Sequence, residues 1–256
     1  MRELGRGKRR DGGPIIRHTY LDEPIDLVVV DELTTGWYGR DWPAAERAEF
    51  AFLATLGIPE AGQVFNLGAH QGLVALLLKR KLVPRGSVLA VEMDRTNAAA
   101  CDRNFALNGN AGMSAVHAAV LDRPGRVHAR RRSNGNVIHD AAPAQRHLQA
   151  VPARTIDALM AEHGVPDLVY MDIEGAEVLA MRGAHEALAR VPAWYMELHG
   201  DEVCGSFGGS NTEVVRPFAA AGFVLFTSPS EESPYTRLDG LDALTPDRCH
   251  LIARRP

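Results

Sequence analysis

An acidic segment, Asp172-Ile173-Glu174-Gly175-Ala176-Glu177, directly follows an apolar run at residues 167–171. The run has the length and composition of a buried strand, and open α/β sheets bind their ligands beyond the carboxyl ends of the strands. Asp172 is therefore predicted to lie in a binding site. Glu174 and Glu177 would begin the next helix, where the helix dipole also favours carboxylates, so a structural role accounts for at least part of Glu177.

A second polar pair, Glu197 and His199, ends the apolar run that begins at residue 193. A histidine has an ordinary pKa of about 6.5, so it can accept a proton from a substrate hydroxyl at neutral pH. We predict that His199 is this catalytic base, that Glu197 orients its ring, and that Asp172 shapes the polar floor beside it. Alternatively, these three side chains hold a divalent cation. We favour the metal-free arrangement and assign no metal ligand.

A glycine-rich turn, Gly68-Ala69-His70-Gln71-Gly72, joins a strand pattern to a helical pattern, and the following strand ends at Glu92. This order is typical of a nucleoside site in Rossmann-like folds, in which Glu92 would accept hydrogen bonds from two ribose hydroxyls. The nicotinamide fingerprint G-x-G-x-x-G is missing, and His70 stands where its second glycine would be. The ligand is therefore predicted to be a nucleoside without a diphosphate.

The elements that must position these residues alternate between strand and helix patterns, which predicts an α/β fold with a mostly parallel sheet. The predicted strands are residues 25–30, 64–67, 87–91, 113–120, 127–132, 167–171, 193–198, 223–226 and 249–253. The predicted helices are residues 43–56, 72–81, 95–107, 155–163 and 176–188, and a last long helix that begins with a capping box at residues 210–213. Glycine-containing loops are expected at residues 36–42, 133–143 and 200–209. In the first, Trp37 and Tyr38 would either wall a substrate pocket or cover the end of the core, which is the commoner role of such side chains.

Composition excludes several classes of protein. The 256 residues are 46% hydrophobic, enough for one large core, and the net charge of −4 does not suit a protein that binds nucleic acid by bulk electrostatics. Cys101, Cys204 and Cys249 form no CxxC pair, as expected in a reducing compartment. No apolar run approaches the ~20 residues of a membrane helix, and none follows the basic start as in a signal peptide. We predict a cytoplasmic protein without nucleic-acid or membrane partners.

Together these motifs resemble those of FkbM-type S-adenosylmethionine-dependent methyltransferases. The segments that carry the resemblance are Phe65-Asn66-Leu67-Gly68-Ala69-His70-Gln71-Gly72, Val91-Glu92-Met93-Asp94, Asn104 with Asn108, Met171-Asp172-Ile173-Glu174-Gly175-Ala176-Glu177, and Glu197-Leu198-His199. The element D-[IV]-E-G-x-E is the specific part, whereas many class I methyltransferases share the glycine turn. The resemblance extends over residues 50–199.

The resemblance implies a doubly wound, mostly parallel seven-stranded sheet with helices on both faces, the Rossmann-like class I methyltransferase fold. It implies methyl transfer from S-adenosylmethionine, most often to a hydroxyl oxygen. The implied cofactor-binding residues are Asn66, Gly68, Ala69, His70, Gly72, Glu92, Met93, Asp94, His117, Ala118, Ala119 and Asp172. The glycine turn would lie beneath the methionine part, Glu92 would hold the ribose, and Asp172 would face the methyl group.

Other members of that set would border the adenine: Met93 and Asp94 on one edge, and residues 117–119 on the other. The sequence departs from the family pattern at Asn66, Met93 and Tyr170, where Asp, Pro and Lys are usual. Asn66 weakens one contact to the methionine ammonium, although an amide oxygen still accepts a hydrogen bond. The other two departures bear on substrate identity.

We predict an N-terminal extension at residues 1–42, with a flexible basic tail and a short strand, followed by a catalytic domain at residues 43–256. The predicted activity is S-adenosylmethionine-dependent O-methylation of a small hydroxylated molecule, such as a sugar or a secondary-metabolite intermediate. A nicotinamide-dependent oxidoreductase and a catalytically inactive nucleoside-binding module are the alternatives. The sequence leaves the acceptor, the methylated position, a divalent cation and the oligomeric state open.

Overall fold

A computed structural model describes residues 13–109, 111–130, 137–138 and 148–256. Its strands are β1 (Ile15–Tyr20), β2 (Glu23–Val28), β3 (Gln63–Leu67), β4 (Ser87–Glu92), β5 (Met113–His117), β6 (Ala119–Val120), β7 (Gly125–Arg130), β8 (Val137–Ile138), β9 (Leu148–Arg154), β10 (Leu168–Met171), β11 (Ala193–Leu198), β12 (Val224–Ser228), β13 (Thr236–Arg237) and β14 (Cys249–Arg254). Its α-helices are α1 (Glu32–Tyr38), α2 (Ala48–Leu53), α3 (Leu73–Lys81), α4 (Arg95–Leu107), α5 (Ile156–His163), α6 (Glu177–Arg182), α7 (His185–Arg190), α8 (Gly200–Gly205) and α9 (Asn211–Ala220).

The main sheet has the strand order β13-β12-β14-β11-β10-β3-β4-β5. Strands β11, β10, β3, β4 and β5 pair in parallel, whereas β14 lies antiparallel to both β11 and β12. This confirms the predicted doubly wound, mostly parallel sheet. The count is eight strands within the described residues, not seven, because the two-residue strand β13 adds antiparallel to β12 at the edge.

Helices cover both faces of this sheet because alternate residues of its central strands point in opposite directions. In β3, Phe65 and Leu67 pack with residues of α5, α6 and α9 in one buried cluster. Val64 packs on the other face, with residues of α3 and α4. The central strands therefore read as continuous apolar runs, as expected for strands buried on both faces.

A second sheet, with the order β6-β9-β7-β8, begins where the strand predicted at residues 113–120 was expected to continue. The prediction of one strand through residues 113–120 is wrong, because Ala119 and Val120 pair with β9 and not with β4. The expected basic strand at residues 127–132 is found as β7, which is antiparallel to β9, except that residues 131 and 132 lie outside the described residues. The predicted loop at residues 133–143 also lies outside them, apart from β8.

Three predicted segments have a different local structure. Trp37 and Tyr38 lie in α1 and not in a loop, because Asp31 caps that helix by accepting a hydrogen bond from the Thr34 amide (2.7 Å). The helix predicted at residues 43–56 is a 3₁₀ turn (Ala44–Glu46) followed by α2. Helix α8 occupies part of the segment predicted as a glycine-rich loop at residues 200–209.

The helix predicted at residues 176–188 is divided into α6 and α7 around Gly183 and Ala184. At Gly183 a Cβ atom would lie 2.6 Å from the carbonyl oxygen of Leu121, so the chain here packs directly against the entry to the second sheet. Helices α3, α4, α5 and α9 occur as predicted, and α4 and α5 begin at the expected caps, Asp94 and Thr155. None of the helices in the described residues is long and apolar enough to span a bilayer.

The strand predicted at residues 25–30 is present as β2, which forms an N-terminal hairpin with β1, and this hairpin is tied to the rest of the chain by Asn104. This fully buried side chain accepts a hydrogen bond from the Val28 amide (2.6 Å) and donates to the carbonyl oxygens of Val28 (3.2 Å) and Gln71 (2.7 Å). Ile25 and Leu27 share a buried cluster with α3. The described part of the predicted extension therefore packs into the core, while the boundary at residue 42 stays a prediction.

We expect Asn104→Ala to lower the free energy of unfolding by about 3 kcal/mol, because it leaves buried backbone groups without partners. Urea unfolding followed by circular dichroism measures this change. Asp102→Ala, on the exposed face of the same helix, is the control and should change stability by less than about 0.5 kcal/mol. Equal effects of the two substitutions would show that the Asn104 contacts do not hold the hairpin in place.

Candidate active site

A cavity of about 500 Å³ opens at the carboxyl ends of the central strands. Its lining includes Asn66 on β3, Glu92 at the end of β4, Asp172 just after β10, and Glu197 on β11. This volume is within the range of small-molecule sites, ~300–1,000 Å³. The position is the one predicted from the strand ends in the sequence.

Most of the predicted site residues line this cavity. Those that do are Asn66, Gly68, Ala69, His70, Glu92, Met93, Ala118, Ala119, Asp172 and Glu197. Those that do not are Gly72, Asp94, His117 and His199. The second group lies immediately behind the lining, where each of its members holds a lining residue or a neighbouring element in place.

The glycine turn is shaped by close backbone packing. Gly68 has a φ of +85°, and a Cβ there would lie 1.7 Å from the carbonyl oxygen of Asp172. Gly72 has a φ of +90°, and its Cβ would lie 2.8 Å from the ring of Phe105 on α4. Gly68 thus allows the ends of β3 and β10 to meet, and Gly72 allows α3 to pack on α4.

Glu92 is held by the backbone on both sides of the cavity mouth. Its Oε2 accepts a hydrogen bond from the amide of His70 (2.8 Å), and its Oε1 accepts one from the amide of Asp94 (2.7 Å). Burial raises the pKa of Glu92 to about 7. Because a carboxylate has roughly four acceptor positions, the two amides leave room for two hydroxyl donors from a ligand.

Two further predicted site residues, Asp94 and His117, hold the backbone next to Glu92. Asp94 caps α4 by accepting hydrogen bonds from the amides of Thr96 (2.7 Å) and Asn97 (3.0 Å). His117 Nε2 lies 3.0 Å from the carbonyl oxygen of Met93 and so holds the backbone of that lining residue. Both residues therefore fix the position of the segment that follows β4.

Aromatic side chains form one wall of the cavity, as the sequence suggested for Trp37 and Tyr38. The Tyr38 hydroxyl lies 3.0 Å from Nδ1 of His70, and the Trp37 ring meets the His70 ring edge-on with centroids 5.3 Å apart. Burial lowers the pKa of His70 to about 4, so its imidazole is neutral at neutral pH. His70 thus serves as an uncharged wall.

Several cavity residues were not predicted because no motif surrounds them. Arg47 has a guanidinium 4.4 Å from the centroid of the Trp42 ring, and its Nε donates to the buried carboxylate of Glu49 (2.7 Å). Arg248, just before β14, pairs with the carboxylate of Glu197. Arg47 and Arg248 come from segments distant in sequence, and only the tertiary fold brings both to the cavity.

Acidic side chains surround His199 at the floor of the cavity. Its Nε2 lies 3.5 Å from Oδ1 of Asp172 and 3.4 Å from Oε2 of Glu174, and its Nδ1 lies 3.2 Å from Oε1 of Glu177. Glu177 also accepts a hydrogen bond from the amide of Ile173 (3.0 Å). The carboxylate beside the Nδ1 atom is therefore Glu177, in the orienting role predicted for Glu197.

This environment does not suit His199 as a free base. Burial alone would lower the pKa of His199, but the surrounding carboxylates of Glu174, Glu177 and Asp172 outweigh it and raise the pKa to about 10. The ring therefore holds a proton at neutral pH when no ligand is bound, and its role as the base for a substrate hydroxyl stays a prediction. Burial also raises the pKa of Asp172, to about 7.

The chain is similar to one known protein family and to several solved structures. The family model described as the methyltransferase FkbM domain matches residues 66–225. A search of curated proteins gave no match. Solved structures with a similar fold include an FkbM methyltransferase from Methylobacillus flagellatus, with 15% identity, a TM-score of 0.46, and coverage of 75% of this chain and 44% of that one.

Two further solved structures cover more of their own length. Precorrin-6y C5,15-methyltransferase from Geobacter metallireducens has 11% identity and a TM-score of 0.46, over 81% of this chain and 86% of that one. A SAM-dependent O-methyltransferase from Thermotoga maritima has 14% identity and a TM-score of 0.45, over 95% of this chain and 78% of that one. The chain spans less than half, 44%, of the Methylobacillus protein.

The family match is the informative finding, because residues 66–225 make up more than half of the 256-residue chain. The matched segment contains the glycine turn, Glu92, the acidic segment after β10, and His199. On this evidence the chain belongs to the FkbM methyltransferase family.

Proposed function

We propose that the protein transfers a methyl group from S-adenosylmethionine to a hydroxyl oxygen of a small molecule. The observation that carries the proposal is that one cavity is lined by both Glu92 and Asp172. The first carboxylate suits ribose hydroxyls, and the second suits a hydroxylated acceptor. A sugar or a secondary-metabolite intermediate has the required chemistry.

Two observations support the fit of S-adenosylmethionine to this cavity. Glu92 has free acceptor positions beside its two backbone donors, as ribose hydroxyls require. The Oδ1 atom of Asn66 is buried without a hydrogen-bond partner among the described residues, and it would accept from the methionine ammonium. Gly68 and Ala69 would lie beside the methionine part, with Met93, Ala118 and Ala119 around the adenine.

When bound, S-adenosylmethionine supplies a methyl group already activated by a sulfonium. The protein therefore mainly needs to align the acceptor and exclude water. Asp172 would accept a hydrogen bond from the acceptor hydroxyl, and Glu197, fixed by Arg248, would border the same floor. Trp37 and Trp42 line the cavity with their aromatic rings and would cover the acceptor there. His199, which does not itself line the cavity, would position Asp172 and Glu174 through its Nε2 atom.

A nicotinamide-dependent oxidoreductase is less well supported by the same residues. A diphosphate would need close approach to the start of α3, and His70 occupies the turn there with its ring against Tyr38. An inactive nucleoside-binding module would have the cofactor site without turnover, so a search for an acceptor separates it from an enzyme.

The role of Glu92 predicts a specific pH dependence of cofactor binding. Its pKa of about 7 means that the carboxyl is protonated below that pH, and a protonated carboxyl accepts hydrogen bonds from ribose less well. The ratio of wild-type to Glu92→Gln affinity for S-adenosylmethionine should therefore fall about tenfold between pH 8 and pH 6. Isothermal titration calorimetry at both pH values measures the ratio.

The control for the Glu92 experiment is Glu186→Gln, which removes an exposed acid on α7, away from the cavity. It should bind S-adenosylmethionine as the wild type does at both pH values. A wild-type to Glu92→Gln ratio that stays constant from pH 8 to pH 6 would contradict the assignment of Glu92 to the ribose.

Asp172→Asn tests the acceptor end of the cavity. We expect methyl transfer to fall by about 100-fold, because the acceptor loses a charged hydrogen-bond acceptor at its reacting oxygen, while the Kd for S-adenosylmethionine changes by less than about threefold. Mass spectrometry of S-adenosylhomocysteine formed with a panel of sugars and phenols provides the rate. Asp102→Asn, on the exposed face of α4, is the matched control.

Two outcomes of that experiment would count against the proposal. Unchanged methyl transfer by Asp172→Asn would remove Asp172 from the acceptor site. Tight binding of S-adenosylmethionine by the wild type, with no transfer to any hydroxylated compound in the panel, would favour the inactive nucleoside-binding module.

A further inference from the structure

We propose that Asp172, Glu174 and His199 form a binding site for a divalent cation of the Mg²⁺ or Mn²⁺ type. One potential ligand atom from each side chain lies within 4.8 Å of the other two. The Nε2 atom of His199 is 3.5 Å from Oδ1 of Asp172 and 3.4 Å from Oε2 of Glu174. Two ligands bound at about 2.1 Å to one octahedral ion lie about 3.0 Å apart, so small side-chain shifts would complete the site.

The unsatisfied hydrogen-bond geometry of the buried His199 ring is a second observation in favour of a cation. The residue is only 7% exposed, yet neither ring nitrogen makes a hydrogen bond of ordinary geometry to any described residue. Oδ1 of Asp172 is buried without such a partner as well. Buried polar atoms are usually satisfied, and an ion between the carboxylates would satisfy these atoms together.

Glu177 gives His199 the arrangement that histidine ligands commonly have. A metal-bound imidazole usually donates its other ring N–H to a carboxylate, which fixes the ring and its tautomer. Oε1 of Glu177 lies 3.2 Å from Nδ1 of His199, and Glu177 is itself fully buried and held by the amide of Ile173. With the Nδ1 proton directed at Glu177, Nε2 would release its own proton to solvent when the cation binds and would then face Asp172 and Glu174 with its lone pair.

The position of the cluster indicates what the ion would do, a step that rests on the proposed function. Asp172 and Glu174 both line the cavity, and each of their side chains is 38% exposed, so a bound ion would keep open coordination positions on the cavity side. Those positions would bind oxygen atoms of the methyl acceptor. Acceptors with two adjacent oxygens, such as vicinal diols or hydroxy acids, would then be preferred.

The test is Mn²⁺ binding to the 256-residue chain in the absence of S-adenosylmethionine. Binding is measured as the loss of the electron paramagnetic resonance signal of the free ion. We expect one ion per chain, and at least tenfold weaker binding for Glu174→Gln. Glu177→Gln should weaken binding about tenfold through His199. Glu202→Gln, an exposed acid on α8 three residues after His199, is the matched control and should bind Mn²⁺ as the wild type does.

Binding of S-adenosylmethionine by each variant, measured by calorimetry, shows that the variant is folded. Absence of Mn²⁺ binding by the wild type at millimolar ion would overturn the proposal. Equal Mn²⁺ binding by Glu174→Gln and the wild type would also overturn it. Mn²⁺ binding at this cluster without methyl transfer to any acceptor would support the cation site and count against the proposed function alone.

Discussion

The carbonyl oxygen of Asp172 lies where a Cβ atom of residue 68 would otherwise be, and this close approach sets the geometry of the cavity. Gly68 allows it, because a Cβ atom at this position would lie only 1.7 Å from that oxygen and the backbone has a φ of +85°. The amide of Asp172 also donates to the carbonyl oxygen of Leu67 (2.9 Å). The glycine turn and the acidic segment, which both line the cavity, are thus joined directly through their backbones.

The two carboxylates that line the cavity, Glu92 and Asp172, differ in their hydrogen-bond partners. Glu92 receives two backbone amides, which hold it in one orientation while it stays available to a ligand. Asp172 has an oxygen without a partner among the described residues, and it lies among other acids. A satisfied carboxylate suits the binding of a fixed group, whereas an unsatisfied cluster needs a proton, an ion or a substrate to complete it.

Local signals in the sequence were sufficient for the elements that begin and end at recognisable residues. Strands β3, β4, β10 and β11 are apolar runs of strand length, and α4 and α5 begin at the expected caps, Asp94 and Thr155. The same signals predicted the positions of Glu92 and Asp172, because both follow from where a strand ends.

Long-range contacts decided the remaining features and could not be read from local patterns. The chain leaves the main sheet after His117 because Ala119 pairs with Ala153, which is distant in sequence. The break between α6 and α7 depends on Gly183 packing against Leu121. Arg47 and Arg248 reach the cavity from opposite ends of the chain. The helix dipole alone explained an acid at position 177 from the sequence. The contact between Glu177 and His199 depends on the tertiary fold and was not predicted.

The charge of the acid cluster limits how it can take part in methyl transfer. Three carboxylates around one imidazolium leave a net negative charge, and such a charge beside a sulfonium stabilises the reactant. An interaction that stabilises the ground state more than the transition state does not accelerate the chemical step. A divalent ion held by Asp172, Glu174 and a neutral His199 would reduce this excess charge and direct the cluster toward the acceptor oxygen. Without the ion, Asp172 and Glu174 would oppose methyl transfer. With the ion bound, the same two acids would hold the acceptor oxygen that attacks the methyl group.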